Sequence, residues 1–225
     1  MLRASLCFRT PFSVLSASAA VRFAHERQCW KCASALLTTE LFFCGSCGVV
    51  QAPPPSASFF DIFGLPEKCD LDGEELDRRF KRLQRLLHPD KHATKPSAER
   101  ERSQASSVLL NQAYQTLMDP LSRAHYILRL HGTSVEESRG TMMGPDHQTF
   151  LADMMEKMEA AHDAPRNAPA LLRMRDANEA EMLATFQKIC ETLDRRNYAA
   201  SVDHVIRLNY LSKLQDVLQD KTSPQ

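Results

Sequence analysis

The chain has 225 residues, and its 28 basic and 28 acidic side chains cancel to a formal net charge of zero. That balance excludes the one-signed global field that gathers nucleic acid or an anionic membrane, and no run approaches the roughly 18 apolar residues of a membrane-spanning helix. With only 7 glycines and one tryptophan beside runs of Leu, Ala, Met, Glu and Arg, the composition favours helix over sheet.

Residues 1–25 carry Arg3, Arg9 and Arg22, and the first acid is Glu26. Ser5, Ser13, Ser16 and Ser18 alternate with apolar residues, a composition that predicts a mitochondrial transit peptide. Pro11 interrupts the apolar run that a secretory signal needs. Arg22-Phe23-Ala24 resembles a matrix-processing site. The expected location is the mitochondrial matrix, with room for a cytosolic pool.

Residues 26–51 hold Cys29-Trp-Lys-Cys32 and Cys44-Gly-Ser-Cys47. Each short knuckle turns two sulfurs the same way, so Cys29, Cys32, Cys44 and Cys47 predict one structural zinc ion in a closed tetrahedron. A segment this short builds no core alone, and metal would supply its folding energy. An iron–sulfur cluster also takes four thiolates, and the spacing does not separate the two. A dithiol redox site needs only one such pair and a βαβ setting that is missing here. Structural disulfides fit a reducing compartment poorly. Cys69 and Cys190 are isolated in the sequence and read as ordinary small side chains. Residues 52–58, with Pro53, Pro54 and Pro55, predict a stiff linker.

A helical block is predicted over 59–132. Asp72 is a candidate N-cap with Glu75 as its capping-box partner. Leu76, Phe80, Leu83 and Leu87 form one apolar stripe, and Arg78, Lys81, Arg82 and Arg85 lie away from it as a basic face. Pro89 stops the helix and opens the loop His88-Pro89-Asp90-Lys91. A second helix starts near Ser97, with Leu110, Ala113, Tyr114 and Leu117 as its stripe. Pro120 ends it, and Leu121–Leu130 makes a shorter one. Gly140, Gly144 and Pro145 mark a second linker over 133–146. Residues 147–220 read as helical again, broken between Pro165 and Pro169.

Two helices joined by His-Pro-Asp, the first with a basic face, resemble a J-domain. The flanks narrow the resemblance. Phe59-Phe-Asp-Ile-Phe-Gly-Leu-Pro66, Asn111-Gln-Ala-Tyr-Gln-Thr-Leu117 and Pro120-Leu-Ser-Arg-Ala124 are similar to HscB-type J-domain co-chaperones of iron–sulfur cluster biogenesis. The tetracysteine segment looks like their metazoan mitochondrial form. The implied fold is all-α: a small zinc module, a J-domain hairpin with accessory helices, and a C-terminal three-helix bundle over 147–220.

The resemblance assigns roles. His88, Pro89 and Asp90, with Arg78, Lys81, Arg82 and Arg85, would dock on a DnaK-type (mortalin-like) chaperone and stimulate its ATPase. Leu151, Ala152, Met155, Glu156, Glu159 and Asp163 on the first bundle helix, with Tyr210 on the last, would bind an IscU-type iron–sulfur scaffold. Ala152 stands where a larger apolar residue is usual, and Asp163 replaces a longer acid. Phe150, Met154 and Met158 read as core. Acceptor proteins extend the implied partners, and the chain itself would be a monomer or weak homodimer. No bound cluster, nucleic acid or membrane is expected. With neither a nucleophile–base constellation nor a phosphate loop, no enzymatic activity is expected. Two other readings stay open: a general J-protein for unfolded matrix clients, and a redox or nucleic-acid module built on the Cys-x-x-Cys pairs.

Overall fold

The computed structural model describes residues 27–135 and 145–223. The predicted transit peptide and most of the second linker lie outside the described residues. Helix α1 (Phe59–Phe63) opens on a capping box: Ser58 Oγ accepts from the Asp61 N–H, and Asp61 Oδ2 accepts from the Ser58 N–H at 2.8 Å. Gly64 ends it at φ 62°, ψ 33°, a left-handed position that glycine takes without a Cβ clash. Helix α2 (Gly73–Leu87) starts where Asp72 Oδ1 accepts from the Glu74 and Glu75 N–H groups. The return half of the predicted capping box is not made, because the Glu75 carboxylate pairs with Arg78 and Arg79 instead.

A 3-10 turn (Pro89–His92) leads to α3 (Ser97–Met118) and α4 (Pro120–Leu130). Asp119 serves both of these helices. It stops α3 in extended conformation, and its Oδ2 accepts from the Ser122 N–H at 2.7 Å to cap α4. The predicted stripes meet as expected. Leu76, Leu87, Leu110, Ala113 and Leu117 are all buried, and Phe80 stacks on Tyr114 at 4.0 Å. Tyr126 closes the block, stacking on Phe59 at 4.4 Å and accepting its N–H at 2.8 Å.

The bundle comprises α5 (Pro145–Asp163), α6 (Pro169–Asp194) and α7 (Tyr198–Thr222). Pro169 starts α6 at its first position, where no backbone donor is needed. The α6–α7 break is made without glycine or proline: Arg196 turns left-handed at φ 56°, and Asn197 Oδ1 caps α7 at the Ala200 N–H. Helix α7 lies in the middle. It is buried on several sides, by Val202, Val205, Ile206, Leu208, Leu211, Leu214 and Leu218. Phe150, Met154 and Leu171 join Leu211, Leu214 and Leu218 in the bundle core.

The J-domain and the bundle are not separate beads. Ile189, Leu193, Val202, Val205, Ile206 and Leu208 belong to the same core as Phe60, Leu110, Tyr126 and Leu128. The cysteine module joins that core too, through Phe42 and Val50. Each fully buried leucine or phenylalanine contributes about 1.5–3 kcal/mol by leaving water. No helix of the described residues is long and apolar enough to cross a membrane.

Candidate functional site

Two turns build the tetracysteine site. In the first, the Ala33 N–H returns to Cys29 O and the Cys29 N–H bonds to Ser34 O, both at 2.9 Å. In the second, the Gly48 N–H returns to Cys44 O at 2.8 Å and the Cys44 N–H bonds to Val49 O at 3.0 Å. Gly48 takes φ 69° freely, whereas Ala33 holds φ 57° with a Cβ, a strained choice that the surrounding contacts must offset. The four sulfurs lie within 4.8 Å of one another. Cys29–Cys47 and Cys32–Cys44 are 3.6 and 3.7 Å apart, close to the edge of about 3.8 Å for a tetrahedron with metal–sulfur bonds of about 2.3 Å.

Hydrogen bonding with Ser34 brings the Cys32 thiol down to about 6. Against the Val49 N–H, burial and the sulfurs of Cys32, Cys29 and Cys44 push Cys47 up to about 12. Charge added to one sulfur thus opposes charge on the next, and four thiolates together call for a cation. The Lys31 N–H and Gln51 Nε2 donate to Cys29 Sγ at 3.4 and 3.2 Å. These residues form a four-cysteine cluster suited to one metal ion.

Gln51 also ties the cluster to the J-domain, because its carbonyl accepts from Ser106 Oγ on α3 at 3.5 Å. Trp30 Nε1 donates to Val50 O at 2.8 Å, and the Arg102 guanidinium covers its ring at 4.7 Å. A cleft of about 680 Å3 opens between this module and α1–α2, with Leu41, Phe43 and Leu83 beside Arg78 and Arg82.

His88, Pro89 and Asp90 are all exposed, Asp90 at 91% of its side chain. Underneath, the loop is anchored. Buried His92 bonds through Nε2 to Leu86 O at 3.1 Å and faces the buried Glu99 carboxylate at 3.7 Å, and Ser103 Oγ donates to Leu87 O at 2.9 Å. The last carbonyls of α2 therefore find partners although the helix stops. The basic face is graded. Arg78 pairs with Glu75, and Lys81 with Asp77 at 2.6 Å. Those bonds hold the Glu75 and Asp77 carboxyls below their usual range. Arg82 and Arg85 are exposed and have no partner among the described residues.

On α5, Ala152, Met155, Glu156, Glu159 and Asp163 are exposed, Met155 at 72%. Leu151 is half-buried against the bundle core. Tyr210 on α7 is also half-buried, edge-on to Phe150 at 6.2 Å with Lys213 Nζ 5.7 Å above its ring. The arrangement is one protruding methionine on a helix that also carries Leu151 and the exposed acids Glu156, Glu159 and Asp163. The predicted residues thus fall on exposed or half-buried surface and in one four-cysteine cluster that could hold a metal ion. Sequence reasoning missed His92, Glu99 and Ser103 beneath the loop, and Gln51 and Arg102 beside the cysteines. Only His92, two positions after Asp90, carried a positional signal.

Comparison with known proteins gives a DnaJ domain over residues 58–126 and an HSCB C-terminal oligomerisation domain over 146–219. The mouse iron–sulfur cluster co-chaperone protein HscB is 32% identical over 209 residues, spanning 87% of this chain and 88% of the mouse protein. The chain belongs to the HscB family of J-domain co-chaperones. The human HscB is 29% identical over 218 residues, covering 96% of this chain and 90% of that one. The crystal structure of human HscB superposes with a TM-score of 0.78 at 27% identity, covering 87% of this chain and 98% of the human one. This HscB-family chain therefore joins a co-chaperone group, not an enzyme group, and it carries the four-cysteine cluster ahead of its J-domain.

Proposed function

We propose that this HscB-family protein stimulates the ATPase of a DnaK-type, mortalin-like chaperone and presents an IscU-type iron–sulfur scaffold to it, so that the cluster passes to acceptor proteins. The observation that carries the reading is the exposed His88-Pro89-Asp90 loop, fastened from below by His92 and Ser103 and flanked by the unpaired Arg82 and Arg85. Free cations steer an acidic partner and set its register. The Asp90 carboxylate then supplies a charge-assisted hydrogen bond once the partner desolvates it. Met155, on the helix that carries Leu151, Glu156, Glu159 and Asp163, supplies an adaptable apolar contact for the scaffold, with Tyr210 of α7 as a further contact. Binding both partners at once raises the concentration of each for the other.

Cys29, Cys32, Cys44 and Cys47 would hold one zinc ion in a structural role, which fits sulfur separations near the tetrahedral edge and the donors aimed at Cys29. The work would take place in the mitochondrial matrix, in keeping with the Arg- and Ser-rich, acid-free start of the chain.

The deciding experiment measures the steady-state ATPase rate of a mitochondrial DnaK-type chaperone with this protein, with and without an IscU-type scaffold. Synergistic stimulation that needs both, lost in His88→Gln, is the expected result. Stimulation that ignores the scaffold would move the function to delivery of general unfolded clients.

A further inference from the structure

The cleft of about 680 Å3 between the tetracysteine module and α1–α2 takes Leu41 and Phe43 from the module and Leu83, Arg78 and Arg82 from α2. The module's side is held by backbone pairing. Phe43 bridges antiparallel to Val50, the Gln51 N–H donates to Phe42 O at 2.8 Å, and the Cys44 N–H donates to Val49 O at 3.0 Å. Side chains alternate along such an extended run. Phe42 is accordingly buried in the shared core at 4% exposure, while Leu41 and Phe43 stay half-buried and line the cleft. Thr39 also lines it and is exposed.

The lining acids and arginines balance in number, but their hydrogen bonding does not. Glu40 Oε2 accepts from the Leu37 N–H at 3.1 Å, and Asp61 Oδ2 accepts from the Ser58 N–H and Oγ, both at 2.8 Å. Glu75 takes Arg78 and Arg79, and Arg79 is held further by Phe63 O at 2.7 Å and Gly64 O at 2.6 Å. Arg82 has no partner among the described residues, and Arg78 keeps 66% of its side chain exposed. The donors left over are therefore guanidinium groups, set beside apolar side chains.

On the chaperone-docking reading above, we infer that this cleft takes an acidic segment of the DnaK-type chaperone, so that the tetracysteine module forms part of the docking face. One carboxylate of the segment sits on Arg82 and Arg78, since a guanidinium is a planar donor that carboxylates bind at two points. A large apolar side chain beside it covers Leu83, Leu41 and Phe43. The cleft is continuous with the rest of the docking surface. Arg82 and Arg85 lie on the same helix as the loop that follows it, and six residues of helix place Arg82 only about 9 Å along the axis from His88. Phe43 directly precedes Cys44, so the four-cysteine cluster fixes the far side of the cleft.

The test titrates the full, metal-loaded chain against a mitochondrial DnaK-type chaperone and reads steady-state ATPase stimulation. Thr39→Glu should raise the half-maximal concentration about threefold or more, and Thr39→Lys should lower it, both at an unchanged maximal rate. Both effects should shrink at about 0.5 M salt. Phe43→Ala should raise the half-maximal concentration about fivefold or more, with Tm and Trp30 emission reporting that the module stays folded. The Thr39 pair, exposed and outside the core, decides the matter if Phe43→Ala unfolds it. His88→Gln runs in parallel. Stimulation lost in His88→Gln but unmoved by either Thr39 variant overturns the cleft proposal and leaves the docking reading standing. A wild type that stimulates nothing overturns both. Thr39 variants that alter the chain's self-association in sedimentation velocity, with the chaperone titration unmoved, would seat a second copy of this chain in the cleft and also overturn the proposal.

Discussion

Arg123 offers the sharpest test of how the helices around α4 are held together. It is only 5% exposed, and no carboxylate pairs with it among the described residues. Its Nε donates to Cys69 O, and Nη1 donates to Leu117 O, a carbonyl in the last turn of α3 that the helix itself leaves unpaired. Arg123→Met keeps an unbranched side chain but removes both donors. Each orphaned carbonyl costs about 1–3 kcal/mol. Part of that is offset, because burial already penalises the charged guanidinium and draws its pKa below the usual arginine value. The expected net loss is about 2–4 kcal/mol, or a fall in Tm of roughly 6–12 °C for a chain of this size. Urea unfolding followed by far-UV circular dichroism measures it, with an unchanged slope as the sign that only stability moved. Arg85→Met, on the exposed face, is the control and should stay within about 0.5 kcal/mol. A loss below about 1 kcal/mol for Arg123→Met would refute the reasoning that these two carbonyls depend on it.

Metal removal by a chelator, or Cys44→Ser, should unfold the tetracysteine module. The single Trp30, held by Val50 O and covered by Arg102, should then shift its emission to the red, while helicity falls little. Arg82→Ala and Arg85→Ala should each raise the half-maximal concentration for chaperone stimulation about threefold or more. Lys81→Ala should do less, because Asp77 already neutralises that cation, and titrations at two salt concentrations would expose equal effects if this grading is wrong. Met155→Asp should weaken scaffold binding by tenfold or more in calorimetry while leaving Tm within about 2 °C, given 72% exposure; a folding defect would contradict its place on the surface.

The local features were legible because they are written in periodicity and punctuation. The stripes of α2 and α3, the stop at Pro89 and the two cysteine knuckles depend on neighbours within a few turns. What escaped depends on faces meeting at a distance. The three prolines of 52–58 read as a spacer, yet Gln51 and Trp30 hold the cysteine module against α3. The α6–α7 turn at Arg195–Asn197 has neither glycine nor proline to announce it. Glu99 and Arg123 look like solvent-facing charges until tertiary packing closes over them. The exposure of Met155 also separates it from Met154, one position away and 1% exposed, a distinction that helical phase suggests and packing decides.

The core that runs unbroken from Leu110 through Leu128 to Ile189 and Val205 makes the spacing between the His88-Pro89-Asp90 loop and the Met155 surface a property of folding. On the proposed reading, the protein works as a fixed gauge. It sets where the scaffold stands relative to the chaperone's nucleotide domain, and the flexing needed to close on the scaffold falls to the chaperone. A substitution deep in the bundle, far from either partner, would then change the reach of the complex before it changed the affinity of either surface.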